Sequence, residues 1–364
     1  SLHDALPICA HFPLIFIRNQ YTMDFSHLHV HTQFSLLDGA ADISKLFKKA
    51  KADGMKAMAI TDHGNMFGVF KFVAEAGKHG VKPIVGCEFY VVEDRHKKQF
   101  TKEARDVRYH QLFLAKNAEG YQNLSRLCSL GYIEGLYSKW PRIDKELILK
   151  YHKGLIATTC CLGAEVPRTI MQKGEEEGEK VFKWWLDLFG EDYYIEIQRH
   201  NLKEQIQVNE ILLKFAKKHN VSVIATNDSH YTDKDDYNAH DILLCINTGE
   251  KQATPGFDDI VNDDAQVKNK RFKFPNDQFY FKTTEEMKKL FSDIPESIDN
   301  TNAIVDKIEV LNLKKDILLP AFPIPKEFQI HFSDEVIGKD IIKPDVNNQW
   351  EFLKHLTYEG AKKR

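Results

Sequence analysis

Little in this chain points toward an oxidising compartment or a membrane. Six cysteines, at 9, 87, 128, 160, 161 and 245, are spread over 364 residues. They form no small-protein disulfide framework and no C-x-x-C, so a reducing, cytoplasmic setting is expected. No long apolar run exists near the start: Phe12 to Ile17 is too short for a signal-peptide core, and no basic stretch precedes it. Neither export nor a membrane partner is therefore expected. Charge of one sign is not in surplus either. Lys and Arg number 50 against 53 Asp and Glu, a formal net charge of −3, which argues against wholesale coating of nucleic acid but leaves room for local basic contacts.

What remains is the make-up of a globular protein, 43% hydrophobic and 28% charged, long enough for one large domain and a smaller piece. The opening SLHDALPI resembles translated adapter sequence, so residues 1–22 read as a non-native extension and Met23 as the natural start. From Met23 onward short β-rich runs alternate with helical stretches, the mark of a parallel α/β architecture. Seven candidate strands cover residues 25–32, 57–64, 83–92, 110–115, 154–161, 193–198 and 221–230. Amphipathic segments lie between them, among them Ile43 to Ala52, Phe67 to Lys78, Glu175 to Phe189 and Leu202 to His219. Several end in Gly or Asn, residues that tolerate the left-handed conformation closing a helix. Periodicity does not choose between an open sheet and a closed barrel. If the sheet closes, its first and last strands become neighbours.

The chemistry gathers at the ends of these runs, where barrels and open α/β sheets alike place their sites. In HLHVHT, residues two apart share a strand face, so His27, His29 and His31 project one way. With Asp38, His63, Glu88, Cys161, Asp228 and His230, His29 and His31 make a mixed imidazole, carboxylate and thiolate set. Such a set is too rich for one ion and fits two or three. Multinuclear sites suit phosphate esters, because one ion activates the attacking water while its neighbours neutralise phosphate oxygens. His27 lies a layer deeper and reads as a core histidine. Asp62 reads as a group that orients His63. Cys160 and Cys161 would point oppositely on a strand, so only one of them is expected to face the ions. Glu196, Gln198 and His200 alternate toward one face, as a barrel-lining polar cluster or as substrate contacts. Arg95, Lys97, Lys98, Lys102, Arg105 and Arg108 make one loop basic, either a solvated surface or a phosphate contact. Trp184 and Trp185, on an amphipathic helix, read as packing.

The strings HLHVHTQFSLLDGA, AITDHGNMFG, PIVGCEFYV, HQLFLAKN, CCLGAE and ATNDSHY, in this order, resemble the PHP (polymerase and histidinol phosphatase) domain found in bacterial DNA polymerase III alpha subunits. The resemblance implies a distorted (βα)7 TIM-like barrel with a trinuclear metal site. His29, His31, Asp228 and a bridging Glu88 would hold one ion; Asp38, His63 and His230 a second; Glu88, His110 and Cys161 a third. Only the resemblance selects His110, which precedes its apolar run. Glu88, Asp228 and His63 would carry the catalytic role. The ions would be three divalent metals of the zinc or manganese class, and the activity a 3'–5' exonuclease acting on DNA.

The resemblance also implies a barrel domain over 23–275 and, over 276–364, a truncated, mainly helical beginning of a polymerase palm region. RFKFPNDQFYFKTTEEM and LTYEGAKKR carry that part of it. Helices are expected from Thr284 and over 297–310 and 349–364. The Asp-x-Asp-type magnesium motif of the palm is missing from the tail, where Asp334, Glu335 and Asp340 stand apart from any such pattern. Polymerisation with magnesium would therefore belong only to a full-length protein, whose partners would include DNA, a sliding clamp and a proofreading subunit. Two other readings stay open: a metal-rigidified scaffold that docks a separate proofreading subunit, and a free-standing phosphatase for a small metabolite.

Overall fold

A computed structural model of the protein describes residues 24–101, 105–257, 270–314, 317, 323–328 and 344–364. The expected extension over 1–22, Lys102 of the basic loop, and Asp334, Glu335 and Asp340 lie outside the described residues.

Seven strands form one sheet: β1 (Ala57–Ile60), β2 (Lys82–Val92), β3 (Tyr109–Ala115), β4 (Arg142–Asp144), β5 (Leu155–Thr158), β6 (Tyr193–Gln198) and β7 (Val223–Thr226), in the order β1-β2-β3-β5-β6-β7, with β4 also on β2. The first expected strand is not a regular strand. Residues 27–30 instead bridge both edges of the sheet, His27 to Met58 and Val30 to Ser229. On one side Ala59 N donates to His27 O at 2.8 Å and Thr61 N to Val30 O at 2.9 Å; on the other His31 N donates to Ser229 O at 2.8 Å. This short segment closes the sheet into a distorted barrel, and closure sets the His-x-His pair beside the end of β7.

The expectation of an all-parallel sheet is corrected at one strand. β3 runs antiparallel to both β2 and β5, because β2 and β3 are joined by a loop on one side of the sheet with no crossover helix between them. β4 has only three residues, too few for any periodicity to show.

Around the barrel lie α1 (Ile43–Ala52), α2 (Val69–His79), α3 (Ala118–Ile133), α4 (Lys145–Tyr151), α5 (Glu165–Lys173), α6 (Glu175–Phe189), α7 (Lys203–His219) and α8 (Tyr237–Thr248). Their apolar stripes face the sheet: Ile43, Leu46, Phe47 and Ala50 of α1 are buried, as are Phe182, Trp185 and Phe189 of α6. Trp184 is half-buried under the Lys145 ammonium, and Trp185 packs against Phe113 and Phe189, so both tryptophans are packing residues. Asp42 caps α1 by accepting from Lys45 N at 3.0 Å, and α7 ends on Asn220 at φ 53°, the left-handed stop anticipated there.

Beyond α8, β8 (Gly256–Phe257) and β9 (Arg271–Phe272) pair with each other. α9 (Thr284–Leu290) begins with a capping box between Thr283 and Glu286. α10 (Glu296–Lys307) packs on β7. Residues through Leu313 belong to one compact unit and Lys314–Arg364 to a second, whose main element is α11 (Pro344–Lys363). No helix among the described residues is long and apolar enough to cross a membrane.

Candidate metal centre

The carboxyl ends of the parallel strands supply most of the site. The segment 27–31 brings His29 and His31, the turn after it Asp38, the loop after β1 His63, the middle of β2 Glu88, the loop after β5 Cys161, and the loop after β7 Asp228 and His230. His110 stands at the start of β3. Because β3 is antiparallel, its amino end lies at the same end of the barrel as the carboxyl ends of its neighbours, which is why a residue ahead of its apolar run still reaches the site. All nine expected ligand residues converge there.

Glu88 is the centre of the cluster. Its Oε2 lies 3.0 Å from His29 Nε2, 2.9 Å from His31 Nε2 and 3.5 Å from His63 Nδ1. Its Oε1 faces the other way, 2.9 Å from His110 Nδ1, 3.3 Å from Cys160 Sγ and 3.4 Å from Cys161 Sγ. Asp228 Oδ1 sits 3.3 Å from His29 Nε2 and 3.2 Å from His31 Nε2. Asp38 Oδ2 is 3.2 Å from His230 Nε2 and 3.5 Å from His63 Nε2. Atoms able to ligate one ion thus cluster as His29, His31, Glu88 and Asp228, as His31, Asp38, His63 and His230, and as Glu88 with His63 and His110 or with the two cysteines.

Other side chains hold these in place. Glu196 accepts from His29 Nδ1, Thr158 Oγ1 and Thr226 Oγ1, each at 2.6 Å, and from Gln198 Nε2 at 3.0 Å. With Nδ1 so engaged, Nε2 of His29 is turned toward Glu88 and Asp228. Glu196 and Gln198 are therefore a barrel-lining polar cluster. His200, expected on the same face, turns away to Asn227 O at 2.9 Å and stacks on Phe279. Thr158 and Thr226 were not singled out from sequence, since single threonines in apolar runs carry no signal.

Three expectations are corrected. Asp62 does not orient His63: it accepts from Thr32 N at 2.6 Å and Thr32 Oγ1 at 2.9 Å, pinning the turn that follows His31. Cys160 and Cys161 both face Glu88, because β5 ends at Thr158 and Cys160 is in the left-handed region at φ 57°, so strand alternation does not apply. In the basic loop, Arg95 is neither a solvated nor a phosphate-facing group; it is buried and paired with Asp144 and Glu134 at 2.8 and 2.7 Å. His27 behaves as expected, packed on Phe281 with Nε2 2.8 Å from Lys282 O.

The electrostatics distinguish the ligands. Burial alone would push His31 down, but the adjacent carboxylates of Asp228 and Glu88 outweigh it and hold the imidazole up at about 10. The carboxylates that favour a proton there would favour a metal cation in its place. His63 is pushed down to about 3, chiefly by burial, and stays neutral. Glu88, despite a burial effect in the opposite direction, is held well below the usual carboxylate range by His63, His29 and His110. Cys161 is lowered, most of all by its hydrogen bond from Cys160, whose own thiol burial pushes up. Of the two thiols, Cys161 is the more acidic.

Divalent ions fit these residues. His31 Nε2, His63 Nδ1 and Asp228 Oδ1 are buried without a hydrogen-bond partner, although leaving buried polar atoms unmet costs about 1–3 kcal/mol each. All three are atoms aimed into the cluster. A donor set of imidazole, carboxylate and thiolate is that of transition-metal or zinc sites, in contrast to the all-oxygen shells of calcium and magnesium.

Comparison with known proteins agrees with this geometry. The PHP domain family model matches residues 27–200, a span that holds His29, His31, Asp38, His63, Glu88, His110 and Cys161. DNA polymerase III subunit alpha of Borreliella burgdorferi is 41% identical over 344 residues, 93% of this chain and 27% of that protein. The Thermus aquaticus protein of the same description is 42% identical over 313 residues, 84% of this chain and 24% of its own length. The chain thus spans about a quarter of the length of the curated relatives it matches. A solved amidohydrolase from Chromobacterium violaceum aligns over 58% of this chain and 89% of its own at 16% identity, but its TM-score of 0.37 carries no argument. With a closed, distorted barrel whose strand ends converge on a histidine-rich cluster, and with that family match, residues 27–200 carry a PHP domain.

Proposed function

We propose that this site holds three divalent ions of the zinc or manganese class and hydrolyses phosphodiesters at the 3' end of a DNA strand. The observation that carries the reading is Glu88, whose two carboxylate oxygens face separate sets of ligands. When bound, the ions would supply an activated water and neutralise phosphate charge. Glu88 would bridge them, Asp228 and Asp38 would offset their charge, and Glu196 would keep His29 turned inward. Burial of the cluster limits solvent and strengthens each of these interactions. Glu88, Asp228 and His63 are the residues assigned to catalysis.

Similarity to DNA polymerase III alpha subunits supports DNA as substrate, a cytoplasmic setting, and replisome subunits such as a sliding clamp and a proofreading subunit as partners. On this reading residues 23–275 are the barrel domain and 276–364 the beginning of a palm region. Magnesium-dependent polymerisation belongs to the full-length polymerase. The test is metal analysis of protein purified without chelator, together with degradation of a 3'-labelled single strand. Close to three ions per chain and shortening of the strand are expected. Activity that survives in the double variant Asp228→Asn with His230→Ala would not belong to this site. Bound metal without nuclease activity would turn the assignment to a docking scaffold.

A further inference from the structure

Ser35 sits in the turn between His31 and Asp38 and is fully buried. The turn is tightly built: Ser35 N donates to Thr32 O, while Ser35 O accepts from Asp38 N at 3.0 Å and Gly39 N at 2.8 Å. Leu37 is held at φ 60°, and a Cβ at Gly39 would lie 2.2 Å from Thr32 O. A non-glycine residue in the left-handed region persists only where its surroundings over-determine it. Here they direct a hydroxyl into the cluster. Ser35 Oγ lies 3.1 Å from His31 Nδ1, donates to Asp38 Oδ2 at 3.3 Å, and accepts from His63 N at 3.1 Å.

A hydroxyl has one proton to give and two lone pairs to receive with, so three contacts use its whole capacity. The proton assignment then follows. The His63 amide is a donor and an ionised Asp38 carboxylate has no proton to offer, so the hydroxyl proton points to Asp38. The remaining contact must be one that Ser35 accepts, and His31 therefore carries a proton on Nδ1. Its Nε2 faces Glu88 Oε2 at 2.9 Å and Asp228 Oδ1 at 3.2 Å, with its lone pair directed to where a cation would sit.

We propose that Ser35 is a positioning residue that fixes His31 as an Nε2 ligand and, through one hydroxyl, ties the ion group of His29, His31, Glu88 and Asp228 to the group of Asp38, His63 and His230. The inference rests on the metal-holding reading of the site and adds a residue to it. Ser35 touches neither substrate nor ion; it acts through three ligands at once.

The test uses the full chain and zinc as probe. Zinc affinity is measured by competition with a chromophoric chelator for wild type and Ser35→Ala, with melting temperatures of both proteins in the metal-free state. The side-chain nitrogens of His31 are followed by 15N shifts in the zinc-loaded wild type. Zinc binding weaker by about 10- to 100-fold in Ser35→Ala is expected, the range for losing a group that orients a ligand. The metal-free melting temperature should also fall modestly, since the His63 amide and His31 Nδ1 lose their acceptor, and wild-type His31 should show a coordinated Nε2 and a protonated Nδ1. Ser35→Ala that binds zinc as tightly as wild type, or that loses only melting temperature, would overturn the positioning role. If that variant fails to fold, the wild-type shifts still decide the matter, because coordination through Nδ1 is incompatible with it. A wild-type protein that binds no zinc sinks the metal reading and this inference together, whereas binding that is indifferent to Ser35 sinks only the latter.

Discussion

Glu88 is a carboxylate whose two oxygens face separate sets of side chains, and Gln separates charge from shape. Glu88→Gln keeps the volume but replaces one oxygen by a donor that no cation accepts. Nuclease activity is expected to fall by at least about a hundredfold, with loss of bound metal. His27→Asn, which alters a core hydrogen bond to Lys282 O, is expected to cost stability while the folded fraction keeps its turnover. The reverse pattern would remove Glu88 from the bridging position. His200, which bonds the carbonyl of Asn227 beside Asp228, supplies a pH dependence. Burial, the largest effect, pushes it down to about 4, whereas an unfolded histidine titrates near 6.5. Below about 6.5 the unfolded chain takes up a proton that the folded state refuses, so the contribution is complete above that pH and is lost toward 4. Between pH 7 and pH 5 the stability advantage of wild type over His200→Gln should narrow by about 2 kcal/mol, as read from urea midpoints. A gap that is constant with pH would contradict the assignment of His200 as a neutral buried group.

At the scale of elements, the reversal of β3 matters most. A parallel strand in that place would carry His110 to the far end of the barrel; the antiparallel one delivers it to Glu88 Oε1 at 2.9 Å. His110 therefore approaches Glu88 from the side that also faces the cysteines, with His63 within reach. His110→Ala is expected to lower the metal content by one ion per chain and leave the other two, measured by elemental analysis. Loss of all three would mean that the groups assemble as one unit. This strand also marks where sequence reading reaches its limit. The apolar run of residues 110–115 announces a strand but not its direction, which depends on the connection from β2. Alternation found the helices α1, α6 and α7 because their stripes are long. It could not find β4, with three residues, nor the turn at Cys160, where left-handed backbone turns a second thiol inward. Eight of the nine candidate ligands are legible because polar groups at strand ends are costly unless used; His110, ahead of its apolar run, is not. Asp62 was misread for the same reason: a buried carboxylate was assigned to its neighbour in sequence, whereas its partner is Thr32, a residue close only in the fold.

For the whole molecule, the decisive feature is that both edges of the sheet are joined through the few residues around His29. Those residues are made before the rest of the barrel, and the backbone of Ser229 that receives them comes about 200 residues later, a separation whose closure entropy opposes that contact. At about 5–20 residues per second, some ten to forty seconds separate the making of the His-x-His pair from the making of the last candidate ligands. Until the loop closes there is no compartment to discriminate between ions, only loose imidazoles open to whichever metal is abundant in the cell. On the proposed metal reading, closure would fix the set, and the timing of metal choice would fall at the end of barrel synthesis.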